Sequence, residues 1–415
     1  MDTPIIVLEP TDSAIKLVVG YVIEKEPVIL YAKTYPIKGI IKNGNIVDIK
    51  TLVEILRDVS HVEDKAARVK FDIKNCVLVI PNVGLEVYET KKSTNVVSNI
   101  SKISKMDINN IISMMKKSRV NSGGALVDIV PITFYLDNGK INKLPIGMTS
   151  NYVGMRALVY TLPSRLIHAY HTALEASGIR VTRHVIGAYA IANLLAGKPN
   201  IPENYIYIDI GSNYTSMSLI SKTSVFNSSY FIIGGNLLTN KIADAFNIDI
   251  NEAEKIKRHY GLETRNLSFD PIIASGLNAE DIETKYRISD LKKVIYEYFD
   301  EYLYGYSKCL EKLLSAYPED KRNFPIIFGG GGSRLEGLLK YFQELYPETA
   351  FSIIPLKNIG TRHQCYSNCI GALLATANYT GSLEDNSEIS INANSKANII
   401  KQDKKIKEIL EEDED

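Results

Sequence analysis

The sequence predicts an α/β fold made of two similar halves, with a cleft between them and an α+β unit inserted in the first half. A strand–turn–strand pattern in residues 5–21 returns in residues 205–220. Such a repeat, heading two halves of similar size, is typical of a duplicated fold that binds its ligands in the cleft. Four consecutive glycines follow an apolar strand at 329–332, and short strands and helices interrupt the first half between about 84 and 180.

Length and composition limit the kinds of function that are open to the chain. The chain has 415 residues, of which 45% are hydrophobic. It is too long for a single ordinary hydrophobic core, which predicts two or more domains. Lys and Arg (48) balance Asp and Glu (48), and there is no strongly basic stretch, so we expect no nucleic-acid partner. No apolar run reaches the roughly 18 to 20 residues of a membrane-spanning helix, which predicts a soluble or at most peripheral protein.

Cysteine usage indicates a reducing, cytoplasmic location. The chain does not open with a charged and then apolar signal sequence, and its cysteines are scattered. No further His or Cys pair completes a zinc set, so we interpret them as packing residues. The cysteines are Cys76, Cys309, Cys365 and Cys369.

Local patterns predict the elements of the first half. Residues 5–34 read as a β-meander, and 76–81 ("CVLVIP") as a short strand buried in a parallel or mixed sheet. Residues 106–118 read as a helix with Asp107 as its N-cap, and 185–197 as an apolar core helix.

The turn in "DIGSNYTS" (209–216) is the first candidate for phosphate chemistry. Asp209 ends an apolar strand, the residues at 211–213 let a backbone approach an anion, and Thr215 supplies a hydroxyl. One interpretation is a phosphate turn in which Asp209 holds magnesium directly or through water. The other is an ordinary hairpin turn.

Two further segments allow a functional and a purely structural interpretation. Gly234 and Gly235 precede a helix, where they either offer N–H groups to a phosphate or mark a tight bend. Glu254 and Lys257 lie three apart on a predicted helix, where they either form a solvated ion pair or meet the ribose and adenine of a nucleotide.

The glycine run in "FPIIFGGGGSRLEGLLKYFQELYP" (324–347) is the strongest single signal. Four glycines lose much backbone entropy on ordering, so the run predicts a ligand or another close contact against bare backbone. The strand, glycines, Ser333 and amphipathic helix fit a nucleotide lying on this junction. The pattern is neither the dinucleotide-binding fingerprint nor a P-loop.

Taken in this order, these segments resemble the superfamily of actin, Hsp70 and sugar kinases, and within it the FtsA family of bacterial cell-division proteins. The likeness covers roughly residues 5–376, and patterns of the type "DIGGGTTD", "GG..iT.DIA", "E.EK.K..YG" and "TGGGA.L.G" are echoed. The inserted unit separates FtsA from its relatives. There, Asp137 followed by Pro145, Gly147 and Met148 is similar to an FtsA stretch that actins, chaperones and sugar kinases lack.

The resemblance implies an actin-like, two-lobed α/β fold with an FtsA-type inserted α+β subdomain. The implied boundaries are 1–83 with 183–208 and about 355–378 for the first lobe, 84–182 for the inserted subdomain, 209–354 for the second lobe with a smaller subdomain at about 236–305, and 379–415 for a flexible tail with a short amphipathic helix.

The resemblance also implies ATP and magnesium in the cleft. Lys16 would meet the β or γ phosphate, Glu254 and Lys257 the adenosine, and Asp209 and Glu9 the magnesium, directly or through water. The remaining implied nucleotide contacts are Gly211, Ser212, Asn213, Thr215, Gly234, Gly235, Gly330, Gly331, Gly332 and Ser333. No catalytic residue is assigned.

Two departures from the family pattern weaken catalysis. The first turn has Glu9 and Thr11 where the family has Asp and Gly, which displaces the carboxylate by about 1.5 Å, one C–C bond, and narrows the phosphate approach. In the second turn, Tyr214 and Ser216 replace Thr and Asp. Misplacement on this scale costs about a hundredfold in rate where positioning is the whole catalytic effect.

The resulting expectation is a scaffold that binds ATP, with hydrolysis slow or absent. FtsA-like proteins polymerise, bind the C-terminal tail of the tubulin-like FtsZ and tie the division ring to the inner face of the membrane. The alternatives are an active ATPase or phosphotransferase of the same superfamily, or a pilus-assembly-type ATP-binding protein.

The tail predicts at most weak peripheral contact with the cytoplasmic membrane. Its apolar stripe is thin, and the acidic residues at 411–415 would be repelled by anionic lipid. The stripe consists of Ile399, Ile406, Ile409 and Leu410.

Overall fold

The computed structural model of the chain describes residues 4–98, 100–117, 123–262, 269–277, 283–318, 322–354 and 363–377. The strands are β1 (Ile5–Pro10), β2 (Ala14–Ile23), β3 (Glu26–Pro36), β4 (Ile41–Lys42), β5 (Asn45–Ile46), β6 (His61–Asp64), β7 (Val69–Asp72), β8 (Asn75–Ile80), β9 (Glu86–Asn95), β10 (Gly124–Leu136), β11 (Gly139–Ile141), β12 (Tyr152–Pro163), β13 (Arg180–Ile186), β14 (Asn204–Ile210), β15 (Thr215–Ser221), β16 (Ser224–Phe231), β17 (Ile272–Leu277), β18 (Glu283–Arg287), β19 (Ile326–Gly329) and β20 (Phe351–Ile353). The helices are α1 (Ile49–Ser60), α2 (Lys105–Lys116), α3 (Ser164–Ala176), α4 (Gly187–Leu195), α5 (Gly235–Phe246), α6 (Ile250–Tyr260), α7 (Ile288–Leu314), α8 (Leu338–Leu345) and α9 (Ser367–Ala377).

The first lobe is built on a five-stranded sheet in the order β13-β8-β1-β2-β3. The strands β1, β2 and β3 form the predicted antiparallel meander, and β8 lies parallel to both β1 and β13. All side chains of β8 except that of Asn75 are buried, as expected for a continuous apolar strand in the middle of a sheet.

The second lobe repeats this arrangement, which confirms the predicted duplication. Its sheet has the order β16-β15-β14-β19-β20, with an antiparallel meander β14-β15-β16 and parallel neighbours β19 and β20. The correspondence extends to single residues. Glu9 faces Lys16 across the first hairpin, and Asp209 faces Ser216 at the same position of the second.

The inserted α+β unit has a four-stranded antiparallel sheet in the order β11-β10-β12-β9. Helix α2 packs on it, and Ile108, Ile111 and Met115 share a core with Val153 and Met155. The predicted N-cap of this helix was wrong. Ser104 is the cap, and Asp107 lies three residues further on, where its carboxylate accepts hydrogen bonds from the backbone N–H and hydroxyl of Ser104.

Two elements lie across the boundaries predicted for the lobes. Helix α3, placed by the sequence in the inserted subdomain, packs in the core of the first lobe, where the Tyr170 hydroxyl donates to the Gly44 carbonyl at 3.0 Å. Strand β14 lies wholly in the second sheet, although its residues 204–208 fall in the segment predicted for the first lobe. The predicted tail at 379–415 lies outside the described residues.

Helices α4 and α9 pack against each other on the first lobe, and α5, α6 and α7 surround the second. The glycine run does not lead directly into α8. A 3-10 turn, Gly331–Arg334, comes first, and α8 begins only after Gly337. Within the described residues, no helix combines the length and the apolar character needed to cross a bilayer.

Candidate functional site

A cavity of about 420 Å³ lies between the two lobes, at the carboxyl ends of β1 and β14. Its volume falls in the range of small-molecule sites. The cavity brings together most of the predicted residues, namely Glu9, Lys16, Asp209, Gly211, Ser212, Gly235, Glu254, Lys257, Gly330, Gly331 and Gly332. Four predicted residues, Asn213, Thr215, Gly234 and Ser333, are absent from its lining.

Three of these four residues shape the site through contacts inside the protein. The Thr215 hydroxyl donates to the Ile233 carbonyl at 2.8 Å, and the Ser333 hydroxyl donates to the Gly330 carbonyl at 2.9 Å. A β-carbon on Gly234 would come within 2.7 Å of the second turn's backbone. The Gly-Gly segment therefore lets α5 approach that turn closely.

Both oxygens of the Glu9 carboxylate have partners inside the protein. Lys16 Nζ lies 2.9 Å from its Oε2, and Asn368 Nδ2 donates to its Oε1 at 2.8 Å. The thiol of Cys369 also donates to Oε2, at 3.4 Å. Burial works to lower the pKa of Lys16, but the Glu9 carboxylate outweighs it and raises that pKa above its ordinary value.

Asp209 is the equivalent carboxylate of the second lobe, and it has no ammonium group opposite it in its hairpin. Ser216 occupies that register position, and the side-chain amide Asn368 Nδ2 lies 3.5 Å from Asp209 Oδ2. Burial, followed by the charge of Glu9, raises the pKa of Asp209 to about 6. An ionised Asp209 is therefore under-compensated in the free protein.

The glycine run has one member that packing does not require. A β-carbon on Gly330 would collide with Asp209 and Ile210, and its φ of +76° is in the left-handed region. A β-carbon on Gly332 would collide with the Ile210 side chain. Gly331 has no atom within 4 Å of its β-carbon position and lines the cavity. Bare backbone is thus presented to the cavity there.

Glu254 and Lys257 lie together on α6 and line the cavity. They form the (i, i+3) ion pair. Lys257 Nζ donates to the Gly235 carbonyl at 3.1 Å and to the Thr239 hydroxyl at 2.8 Å, which ties α6 to the start of α5. Burial lowers the pKa of Lys257 although Glu254 opposes the shift.

Sequence reasoning missed several residues of the site. Asp12 accepts hydrogen bonds from the Asn43 and Gly44 N–H groups at 2.6 and 2.8 Å and from Asn213 Nδ2 at 2.7 Å. Asn368 reaches Glu9 from 359 residues away. No local pattern marks such contacts. Asn368 lies at the start of α9, where no sequence pattern marks it as a site residue.

Three buried polar atoms of the lining, among them the Tyr302 hydroxyl, have no hydrogen-bond partner within the described part of the chain. The other two are the Tyr207 hydroxyl and Asn368 Oδ1. Buried polar atoms rarely stay unpaired, so the cavity is suited to a ligand or water with polar groups. In the same residues, no group of three or more His, Cys, Asp or Glu is arranged as a metal site.

We predict that Asp209→Asn stabilises the free protein at neutral pH. Because the folded-state pKa is raised from 3.8 to about 6, the ionised carboxyl destabilises the fold above about pH 4, and the protonated form relieves this as pH falls. The variant should exceed the wild type in free energy of unfolding by about 3 kcal/mol at pH 7.5 and by about half as much at pH 5. Urea unfolding measures both, and a gap that does not depend on pH would contradict the assignment.

Comparison with known proteins agrees with this geometry. A family model described as "Cell division protein FtsA" matches residues 206–371, and one described as "SHS2 domain inserted in FTSA" matches residues 84–161. The chain is 24% identical over 374 residues to the Cell division protein FtsA of Enterococcus hirae, covering 88% of this chain and 81% of that relative.

Solved structures share the fold at low sequence identity. The PilM-PilN type IV pilus biogenesis complex superposes with a TM-score of 0.57 at 16% identity, covering 90% of this chain and 98% of that chain. MreB5 of Spiroplasma citri bound to ADP superposes with a TM-score of 0.52 at 14% identity, covering 89% and 95%. The two matched family segments take in more than half of the sequence, and the second coincides with the inserted four-stranded sheet. The chain therefore belongs to the FtsA family of cell-division proteins and has an actin-like fold.

Proposed function

We propose that the protein is an ATP-binding cell-division scaffold whose assembly responds to nucleotide and whose ATP hydrolysis is weak or absent. We expect slow hydrolysis because the Glu9 carboxylate is bound by partners within the protein. Both of its oxygens already accept hydrogen bonds, from Lys16 and Asn368. The Glu9 carboxylate is therefore held by protein partners, which opposes its turning to position a metal ion or an attacking water.

The residues of the cavity fit a nucleotide. Gly331 presents bare backbone to the cavity, and the positive end of the α5 dipole lies at Gly235, although the Gly235 and Asn236 N–H groups already donate to carbonyls of the second turn. Glu254 and Lys257 would meet the adenosine. A structural neighbour of the same fold carries ADP, which supports the same ligand class here.

Magnesium fits this site through one carboxylate only. Asp209 is free to hold it, directly or through water, whereas Glu9 is committed to its protein partners. When bound with ATP, the ion would neutralise phosphate charge. It would also favour the ionised form of Asp209, which the free protein disfavours.

The cell-division role rests on the family. Relatives across several bacteria carry the name Cell division protein FtsA. We propose that this chain likewise polymerises, binds the C-terminal tail of FtsZ and works at the cytoplasmic face of the membrane, where the tail supplies at most weak contact. The match to the inserted FtsA domain favours this role over a pilus-assembly function, for which the likeness is one of fold.

We predict saturable ATP binding with negligible turnover. Calorimetry on the purified chain should show binding with magnesium, and phosphate release should be about a hundredfold slower than for an active ATPase of this fold measured alongside. Robust turnover that collapses in Asp209→Ala would overturn the scaffold proposal. If ATP does not bind at all, the cavity is not a nucleotide site and the proposed nucleotide contacts are wrong.

The matched pair Gly331→Val and Gly332→Ala locates the nucleotide. The first adds atoms to the cavity where none lie within 4 Å and should weaken ATP binding by roughly tenfold or more while the melting temperature stays unchanged. The second meets the Ile210 side chain and should lower the melting temperature instead. Equal ATP affinity in Gly331→Val and wild type would place the nucleotide elsewhere.

We predict that the immobilised C-terminal peptide of FtsZ from the same cell retains the purified protein. A peptide of scrambled sequence, with the same composition and charge, is the control. Equal retention by both peptides, or none by either from a folded protein, would remove the FtsZ partnership and leave the fold standing.

A further inference from the structure

The two cleft-facing turns are hydrogen-bonded to each other across the cleft. Asn213 of the second lobe donates its side-chain N–H to Asp12 Oδ2 of the first lobe at 2.7 Å. Asp12 is buried, and its two oxygens also accept the N–H groups of Asn43 and Gly44. Asn213 is held in place in turn, because its Oδ1 accepts from Asn236 Nδ2 at 2.8 Å. The amide therefore joins a fixed carboxylate to a fixed turn.

A second asparagine makes the same kind of connection deeper in the cleft. Asn82, which follows β8 in the first lobe, donates to the Ser216 hydroxyl of the second lobe at 3.3 Å. Its Oδ1 accepts the Ala188 N–H at the start of α4, at 3.1 Å. Asn82 is 4% exposed, so water does not compete well for these bonds.

A third amide, that of Asn368, lies between the two central carboxylates. It donates to Glu9 of the first lobe at 2.8 Å and lies 3.5 Å from Asp209 of the second, at the outer limit of a hydrogen bond. This contact adds less to the connection between the lobes than the other two. The Asn213 bond, at 2.7 Å, is the shortest of the three contacts between the lobes.

The Asn213 and Asn82 bonds each join a first-lobe group to a second-lobe group. We propose that the Asp12–Asn213 and Asn82–Ser216 bonds form a latch that holds the lobes together in the nucleotide-free protein. Closure of the cleft then does not require a nucleotide. An incoming nucleotide must open the latch, so the same bonds slow its entry; this second consequence rests on the proposed function.

Hydrogen exchange tests the latch without any nucleotide, because a substitution in one lobe can be read in the other. In Asn213→Ala, the amides of residues 40–47, which include the two donors to Asp12, should exchange roughly threefold or more faster than in the wild type. In Asn82→Ala, the amides of residues 211–219 should likewise exchange faster than in the wild type. Exchange of the amides of residues 40–47 should be faster in Asn213→Asp than in Asn213→Ala, because the aspartate places a second carboxylate against Asp12.

Asn227→Ala is the matched control. Asn227 Nδ2 donates at 2.8 Å to the Leu313 carbonyl, so the variant loses an amide bond of similar length within the second lobe alone. First-lobe exchange should stay at the wild-type rate. Unchanged first-lobe exchange in both Asn213 variants, or an equal rise in Asn227→Ala, would overturn the latch.

The rate of binding of a fluorescent ATP analogue tests the second consequence. It should rise roughly threefold or more in Asn213→Ala, since the latch no longer delays entry. If the analogue binds neither protein, the proposed function fails while the exchange result still decides the latch. If it binds both at the same rate although exchange has changed, the latch does not gate the site.

Discussion

The carboxylate of Glu9 lies at the base of the cleft, buried and held by the Lys16 ammonium and the Asn368 amide. Burying a carboxylate lowers the stability of a fold by several kcal/mol unless its charge and lone pairs have partners, so the fold needs these contacts. Lys16 can supply the charge because it faces Glu9 in the register of the first hairpin. The pair thereby fixes the end of β1 and the turn that follows, from which Asp12 reaches the second lobe.

The duplicated fold divides its chemistry unequally between its two turns. Both turns close in the same way, with the N–H of Thr11 bound to the Ala14 carbonyl and that of Gly211 bound to the Tyr214 carbonyl. The carboxylate of the first turn, Glu9, is paired with the ammonium group of Lys16. That of the second, Asp209, is half-buried and close to Glu9, and its raised pKa shows that it resists ionisation. A cation entering with a nucleotide would therefore be drawn to the second turn, where it relieves an existing electrostatic cost.

Local patterns in the sequence were sufficient to predict the duplication, the meanders, the inserted unit and the glycine run, because each depends on residues close together in the chain. The helix cap was misassigned because Asp107 and Ser104 are both capping residue types and only the three-dimensional chain path distinguishes them. The hydrogen bonds of Asn82, Asn213 and Asn368 could not be predicted, since their partners lie 134 to 359 positions away in the sequence. Packing of α3 on the first lobe likewise depends on contacts distant in sequence.

The central claim is that engagement of Glu9 and closure of the first turn by Thr11 keep the bound nucleotide from being hydrolysed. The most direct measurement is ATP turnover by the double variant Glu9→Asp/Thr11→Gly beside the wild type. A shorter carboxylate no longer reaches all of its present partners, and glycine removes the hydroxyl that bridges to Ala14. Turnover should rise by roughly tenfold or more while ATP affinity is kept. Turnover as slow as in the wild type, in a variant that still binds ATP, would contradict the account.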